Sequence, residues 1–197
     1  MNRTLTSLAV VVTLVLAALL FIEHPAIDSD LAQNPTRDTP ISIIEHSSTR
    51  EFDANGQLQY LLKVDRALQY LRFADDQPLS IKQGFTELHN PQLTIYDAKS
   101  DDRWHFESRY GRTENNGEQI ILWGQVVAHK PGENGRDYRV TTERLEILPE
   151  AKLATTEEAV NIRSPNGVAD AVGMHIDMNS GLTELKSQVR GTYDIEL

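Results

Sequence analysis

The dipeptide Asn-Gly occurs four times in this chain, at Asn55-Gly56, Asn116-Gly117, Asn134-Gly135 and Asn166-Gly167. Asn-Gly is the preferred pair for tight hairpin turns of type I′, because both central residues of that turn need a positive φ. Apolar and polar residues alternate between these turns, which is the period of a half-buried strand. The sequence therefore predicts an antiparallel β-meander, and no segment after Ile22 keeps a helical period.

The hairpin at Asn116-Gly117 shows which residues share a face. A two-residue turn there pairs Tyr110 with Trp123 and Phe106 with Val127. The resulting aromatic and aliphatic face is expected to point inward, and it carries Trp104, Phe106, Tyr110, Ile121, Trp123 and Val127. The alternative stays open, since a one-residue slip inverts every side chain and the second strand is apolar on its other face too, at Ile120, Leu122 and Val126. Other inward positions predicted by alternation are Tyr60, Leu62 and Ile147.

An uncharged run of nineteen residues, Thr4 to Ile22, precedes the strands. As a helix it would reach roughly 28 Å, close to the thickness of a bilayer core. Its apolar core exceeds the roughly 7–15 residues of a cleaved secretory signal, and no small-x-small site closes it. We therefore expect one retained transmembrane α-helix. Arg3 precedes the run and acidic residues follow it, so the positive-inside bias places the N-terminus in the cytoplasm.

Three further features divide the chain and limit its partners. Prolines at 25, 35 and 40 favour an extended linker, so we predict a cytoplasmic stub and anchor at 1–22, a linker at 23–40 and one β-domain at 41–197. The chain has 29 acidic and 19 basic side chains, a net charge of −10, and no basic stripe, which argues against nucleic acid as a partner. Cysteine is absent, so the domain must be held together by its core.

A catalytic constellation is missing from the sequence. The six histidines show no HxH or HxxxH spacing, and neither a Gly-x-Ser-x-Gly elbow nor a Gly-x-x-x-x-Gly-Lys loop occurs. Acidic pairs such as Asp75-Asp76 are typical of solvated loops. The sequence predicts a protein that is not an enzyme and has neither a metal nor a cofactor.

Several short motifs, read in order, resemble the LptC family, the single-pass subunit of the lipopolysaccharide export machine. Because the family's motifs are individually weak, the resemblance depends on their order after an anchor and a linker. They are Phe52-Asp53-Ala54-Asn55-Gly56 with Leu58-x-Tyr60, Asn90-Pro91-x-Leu93, Leu122-Trp123-Gly124-Gln125-Val126, Arg139-x-Thr141-Thr142, Ala159-Val160 and Thr192-Tyr193-Asp194-Ile195.

The resemblance implies an all-β domain, an open, twisted antiparallel β-jellyroll of two sheets. It implies a protein of the inner membrane that receives lipopolysaccharide from an ABC-type extractor and passes it to a periplasmic, LptA-like bridge protein of the same fold. It also places Ser47 at the entry of a lipid groove, Gly181 near its exit, and Leu88 and Trp123 along it.

From the strand pattern and the resemblance together, we expect lipid A acyl chains to lie between the sheets and open strand edges to bind partner proteins. The expected lipid-binding residues are Ser47, Tyr60, Leu62, Leu88, Phe106, Tyr110, Trp123, Ile147 and Gly181, and the expected docking residues are Ile43, Tyr193 and Ile195. Two alternatives remain, a tethered scaffold with a fully packed core and a tethered enzyme acting on envelope glycans or lipids.

Overall fold

A computed structural model describes residues 39–75, 77–96, 103–132 and 137–193, which all fall in one compact unit, Arg37–Leu197. Antiparallel β-strands dominate this part of the chain, with short 3₁₀ turns at Ile81–Gln83 and Asn115–Gly117. Within these residues no helix is long and apolar enough to cross a bilayer, and the run Thr4–Ile22 lies outside them. The strands are β1 Ser42–Phe52, β2 Leu58–Tyr70, β3 Phe73–Ala74, β4 Gln77–Pro78, β5 Phe85–His89, β6 Gln92–Tyr96, β7 Arg103–Glu107, β8 Tyr110–Glu114, β9 Gln119–Lys130, β10 Tyr138–Leu148, β11 Leu153–Ser164, β12 Gly167–Asp177 and β13 Leu182–Tyr193.

Eleven strands form one continuous hydrogen-bonded sheet, and β3 and β4 form a separate small ribbon. The sheet begins at β1, which pairs with β2, and it ends at β13, which pairs with β12. Between them, β2 pairs with both β6 and β5, and β9 pairs with both β7 and β8. The all-β prediction is confirmed, and the prediction of two separate sheets is corrected, because the strands shared by both halves join them into one.

A line of β-bulges folds this sheet. Register shifts interrupt the pairing in the middle of β10, β11 and β12. A bulge leaves a residue unpaired and bends its strand, so neighbouring bulges bend the whole sheet. Positive φ angles mark the bend in β1, β9, β12 and β13, at His46, Gly124, Gln125, Gly173 and Gln188.

The bend creates two facing layers with the core between them. Across the bend of β10, the buried residues change phase from Val140 and Thr142 to Leu145 and Ile147. One layer contains β6 and β7 and buries the row Leu62, Leu93, Phe106, Ala128, Val140 and Ile162; the other contains β5 and β8 and buries Ala67, Leu88, Leu122, Leu145 and Met174.

Three of the four Asn-Gly pairs lie in the described residues, and each connects neighbouring antiparallel strands. The turn type differs from the prediction. Only Gly56 has a positive φ in the first pair, and Pro165 and Asn166 form the connection before Gly167. The hairpin at Asn116-Gly117 has a four-residue loop, 115–118, because Glu114 pairs with Gln119. Asn134-Gly135 lies outside the described residues.

The predicted register of that hairpin is confirmed beside the turn, where Tyr110 pairs with Trp123. Farther out it is wrong, since Phe106 pairs with Ala128 rather than with Val127. The cause is a break between β7 and β8, where the backbone N–H of Arg109 donates to the Gly124 carbonyl at the bend. This break also reverses which side chains point inward.

Candidate functional site

A cavity of about 270 Å³ lies between the layers beside the edge strand β1. We call it the slot. Four of the predicted lipid-binding residues line it, with Ser47 on β1, Tyr60 and Leu62 on β2, and Leu88 on β5. These residues are far apart in sequence and meet because β2 pairs with β1 on one side and with β5 on the other.

Small side chains explain why this part of the interior stays open. Ala67 and Thr86 occupy inward positions that carry leucine, isoleucine or phenylalanine elsewhere in the core. Gly84 also lines the slot, and there glycine permits a close backbone approach, since a Cβ would lie 2.2 Å from the Tyr70 carbonyl oxygen. The slot volume lies just below the range of about 300–1,000 Å³ that is typical of ligand pockets, so the slot as it stands has room for only part of a lipid.

Tyr60 forms one wall of the slot. Its side chain is 5% exposed, and the hydroxyl lies against Gly117, where an added Cβ would be 2.6 Å from the hydroxyl oxygen. Burial, with a smaller contribution from the charge of Glu51, raises the pKa of Tyr60 above its ordinary value. The hydroxyl therefore stays neutral at physiological pH, as an apolar ligand requires.

An aromatic and charged cluster, which we call the rim cluster, adjoins the slot at Phe85, the member of the cluster that lines it among the described residues. Phe85 stacks on Tyr70 with ring centroids 5.0 Å apart, and the Arg112 guanidinium lies 4.3 Å from the Phe85 centroid. Arg112 also contacts Glu87 at 3.0 Å, and Arg72 forms an ion pair with the buried carboxylate of Glu114. The two arginines and two glutamates balance in charge, so this rim is polar without a net field.

Phe106 and Ile147 are also inward, as predicted, but they are completely buried in the packed part of the interior. Tyr110 and Trp123 lie on the outer face, where Tyr110 is 44% exposed and the rings are 6.4 Å apart. The inward prediction for this pair is corrected. The strand break between β7 and β8 places Ile120 and Leu122 inside instead, and both are completely buried.

The remaining predicted residues lie at the two ends of the sheet. Ile43 on β1 is 51% exposed, and Tyr193 on β13 is 73% exposed. Gly181 occupies the exposed turn between β12 and β13, where its φ of 73° is favourable only for glycine. Ile195 lies outside the described residues.

Sequence reasoning missed the small residues and the rim cluster. Ala67, Thr86 and Thr113 interrupt the large apolar residues at inward positions, and that change in size was a readable signal. The contact of Arg72 with Glu114 had no local signal, because the two residues are 42 positions apart, one in the connection between β2 and β3 and the other on β8.

A second, wider depression of about 450 Å³ lies at the bend and is lined by residues of β9 to β12. It contains none of the predicted site residues. In the described ranges, no group of three or more histidine, aspartate or glutamate side chains is arranged to hold a metal ion. The slot is therefore the site that the sequence and the structure both indicate.

Comparison with known proteins gives the family. The model of the LptC family, described as "Lipopolysaccharide-assembly, LptC-related", matches residues 8–194. The chain belongs to the LptC family. A search of curated proteins finds no match. Among solved structures, the chain is similar to LptH, the LptA-homologous periplasmic component of the lipopolysaccharide transport device of Pseudomonas aeruginosa, with a TM-score of 0.47 and 10% identity, over 82% of this chain and 98% of that chain.

Family membership confirms the function expected from the motifs. The chain is a non-enzymatic subunit of lipopolysaccharide transport. Lipopolysaccharide is its cargo, an LptA-like bridge protein is an implied partner, and the β-domain faces the periplasm. The alternatives of an unrelated scaffold and of an envelope-modifying enzyme are thereby set aside.

Proposed function

We propose that this LptC-family protein receives lipopolysaccharide from the ABC-type extractor of the inner membrane and holds lipid A acyl chains in the slot. One observation supports the proposal: a single cavity beside the edge strand β1 is lined by Ser47, Tyr60, Leu62 and Leu88. Each methylene removed from water contributes about 0.8 kcal/mol, so a dry, apolar cavity is what acyl chains need.

The binding set in this proposal is narrower than the one the sequence suggested. Tyr110, Trp123 and Gly181 are not among the described residues that line the slot, and they are left out. Phe106 and Ile147 would contact lipid only after the layers separate, since both side chains are completely buried. The slot is smaller than several acyl chains, so we expect loading to widen the gap between the layers beside β1.

Photo-crosslinking in cells tests the proposal. A photoreactive amino acid is placed at Ser47 or Leu88 in the slot, and at Trp123 on the outer face as a matched control. We expect lipopolysaccharide adducts from Ser47 and Leu88 and none from Trp123. Adducts from Trp123 alone, or from no position while a known acceptor in the same cells is labelled, would show that lipid does not use the slot.

The two ends of the sheet are the proposed docking edges, with the extractor at β1 and the bridge protein at β13. Within the described residues, each of these strands pairs on one side only, and both carry exposed apolar residues, such as Ile43 on β1 and Tyr193 on β13. Photoreactive residues at Ile43 and Tyr193 should capture the extractor and the bridge protein, respectively. If Ile43 captured the bridge protein and Tyr193 captured the extractor, the assignment of the two edges would be reversed.

We also propose that Thr4–Ile22 anchors the protein in the inner membrane as a single span. The run is uncharged and long enough to cross, and Arg3 precedes it. Because the chain has no cysteine, single cysteines at Asn2 and Ser29 report topology without background. A membrane-impermeant maleimide should label position 29 and not position 2 in spheroplasts, and release of the protein from the membrane would contradict the anchor.

A further inference from the structure

Tyr60 lines the slot and also a second cavity next to it. The second cavity has a volume of about 230 Å³ and lies at the end of the domain, beside the connections that follow β1, β8 and β10. We call it the end pocket. Tyr60, Glu51, Asn116 and Gly117 line both cavities. The two spaces are therefore neighbours, and the Tyr60 side chain is part of the lining of both.

The position of this side chain is set by packing. The Tyr60 backbone pairs with Ile95, and the hydroxyl reaches across to Gly117 in the turn between β8 and β9. Gly117 has a φ of 95°, so glycine suits both the turn and the close approach of the hydroxyl. Among the described residues, no side chain or backbone group hydrogen-bonds the Tyr60 hydroxyl, so shortening the side chain breaks no bond there.

The charges beyond Tyr60 fix which part of a lipid points toward it. Among the described residues, the end pocket is lined by Glu51, Glu118 and Glu150 and by no lysine or arginine. An anionic head group is repelled by such a rim. An acyl chain therefore has its terminal methyl group directed at Tyr60 and its charged end directed away.

We propose that Tyr60 is the end wall that sets the length of acyl chain the slot accepts. The inference rests on the proposed function and adds a length limit to it. A chain that fits the slot ends against the ring, and a longer chain must displace the ring from its place against Gly117. Without the ring, the slot and the end pocket become one space whose volume lies well inside the range of ligand pockets.

The test measures how affinity depends on chain length. The full-length protein is held in amphipol, and laurate, myristate, palmitate and stearate displace a fluorescent fatty acid from it. The variants are Tyr60→Ala and Tyr60→Leu, with Tyr60→Phe as the control that keeps the ring and Tyr110→Ala as the control on the outer face. The length limit of the unaltered protein is read from its own affinities. The affinity of each variant is also divided by that of the unaltered protein for the same acid, which removes the differences in water solubility among the acids.

We expect the unaltered protein to gain affinity with length up to a limit and to gain nothing beyond it. Tyr60→Ala and Tyr60→Leu should continue the gain, by about 15-fold for two further methylenes at about 0.8 kcal/mol each. Tyr60→Phe and Tyr110→Ala should keep the original limit. Circular dichroism checks that each variant is folded, and Tyr60→Leu serves if Tyr60→Ala is not.

The outcomes separate this inference from the proposed function. An unchanged length limit in both folded Tyr60 variants overturns the inference and leaves the slot as the lipid site. A shift of the limit in Tyr110→Ala equal to that in Tyr60→Leu also overturns it, because the effect would not be local. If the unaltered protein binds none of the four fatty acids, the slot itself fails as an acyl site, and the length limit fails with it.

Discussion

The space between the two layers is open beside β1 and filled beside β9 and β10. The open part is the slot, with Ala67, Thr86 and Gly84 on its walls. The filled part, which we call the packed core, centres on Phe106, Ile147 and their completely buried neighbours Met174 and Ile176. Both parts use the same alternation of apolar and polar residues. The difference teaches that the size of the inward side chains, rather than their apolar character, decides where a folded sheet leaves room for a ligand.

The largest effect should come from emptying the packed core. We expect Phe106→Ala to reduce the free energy of unfolding by about 3–5 kcal/mol, because the side chain is completely buried and its neighbours can collapse only in part. Leu88→Ala, on the wall of the slot, should fall near the lower end of the range of about 2–5 kcal/mol for leucine. Urea unfolding followed by fluorescence measures both, and equal losses would erase the distinction between the two parts.

Larger side chains should also distinguish the packed core from the slot, because the packed core has no room for them and the slot does. Ala128→Leu enlarges a side chain in the packed core and should reduce the free energy of unfolding by about 1–3 kcal/mol. Ala67→Leu places the same side chain in the slot, where we expect a smaller loss in stability and a clear loss of lipid adducts. Urea unfolding measures the stability of both variants, and photo-crosslinking from Leu88 measures their lipid adducts. Undiminished adducts with Ala67→Leu would mean that the cavity is not the lipid site.

Two turn glycines provide a finer comparison. Gly117 and Gly181 have φ angles of 95° and 73°, so alanine at either position costs roughly 1–2 kcal/mol in backbone strain. Only Gly117 has a side chain, that of Tyr60, within reach of an added Cβ. We expect both variants to lose similar stability, measured by thermal unfolding, while only Gly117→Ala alters binding of palmitate relative to laurate. A similar change in Gly181→Ala would disconnect Tyr60 from the length limit.

The smallest effect concerns pH and the outer surface of the packed core. Burial, and then the nearby charges of His129 and Arg103, lower the pKa of His105, while Glu107 opposes the shift. The two imidazole rings are 5.6 Å apart, His105 Nδ1 lies 3.0 Å from the Thr94 hydroxyl, and Asp137 lies 3.2 Å from His129.

Because the pKa is lower in the folded state, the unfolded chain takes up a proton first as the pH falls. The stability that His105 contributes is therefore complete above the unfolded pKa of about 6.5, and it is lost as the pH falls from there through the folded pKa. We expect His105→Gln to flatten this part of the stability curve, measured by urea unfolding between neutral and mildly acidic pH. An unchanged slope would assign the pH dependence to other groups.

The hairpin around Asn116-Gly117 shows how far sequence reasoning reaches. The pairing of Tyr110 with Trp123 was predictable, because a turn fixes the register of the strands next to it. The face of that pair was not. The break between β7 and β8 exchanges the side chains that face inward with those that face outward. Its location depends on where the sheet bends, and strands distant in sequence determine that bend.

The sequence alone determined the all-β class, the hairpin positions and the family, because turns, alternation and short motifs are local properties of a chain. It also placed Tyr60, Leu62 and Leu88 among the site residues. Only the tertiary structure decided that the strands form one folded sheet, that Trp123 faces outward, and that these residues meet Ser47 at one cavity. The physical reason is that the slot lies between strands whose pairing spans the domain, and the free volume there depends on side chains from all of them at once.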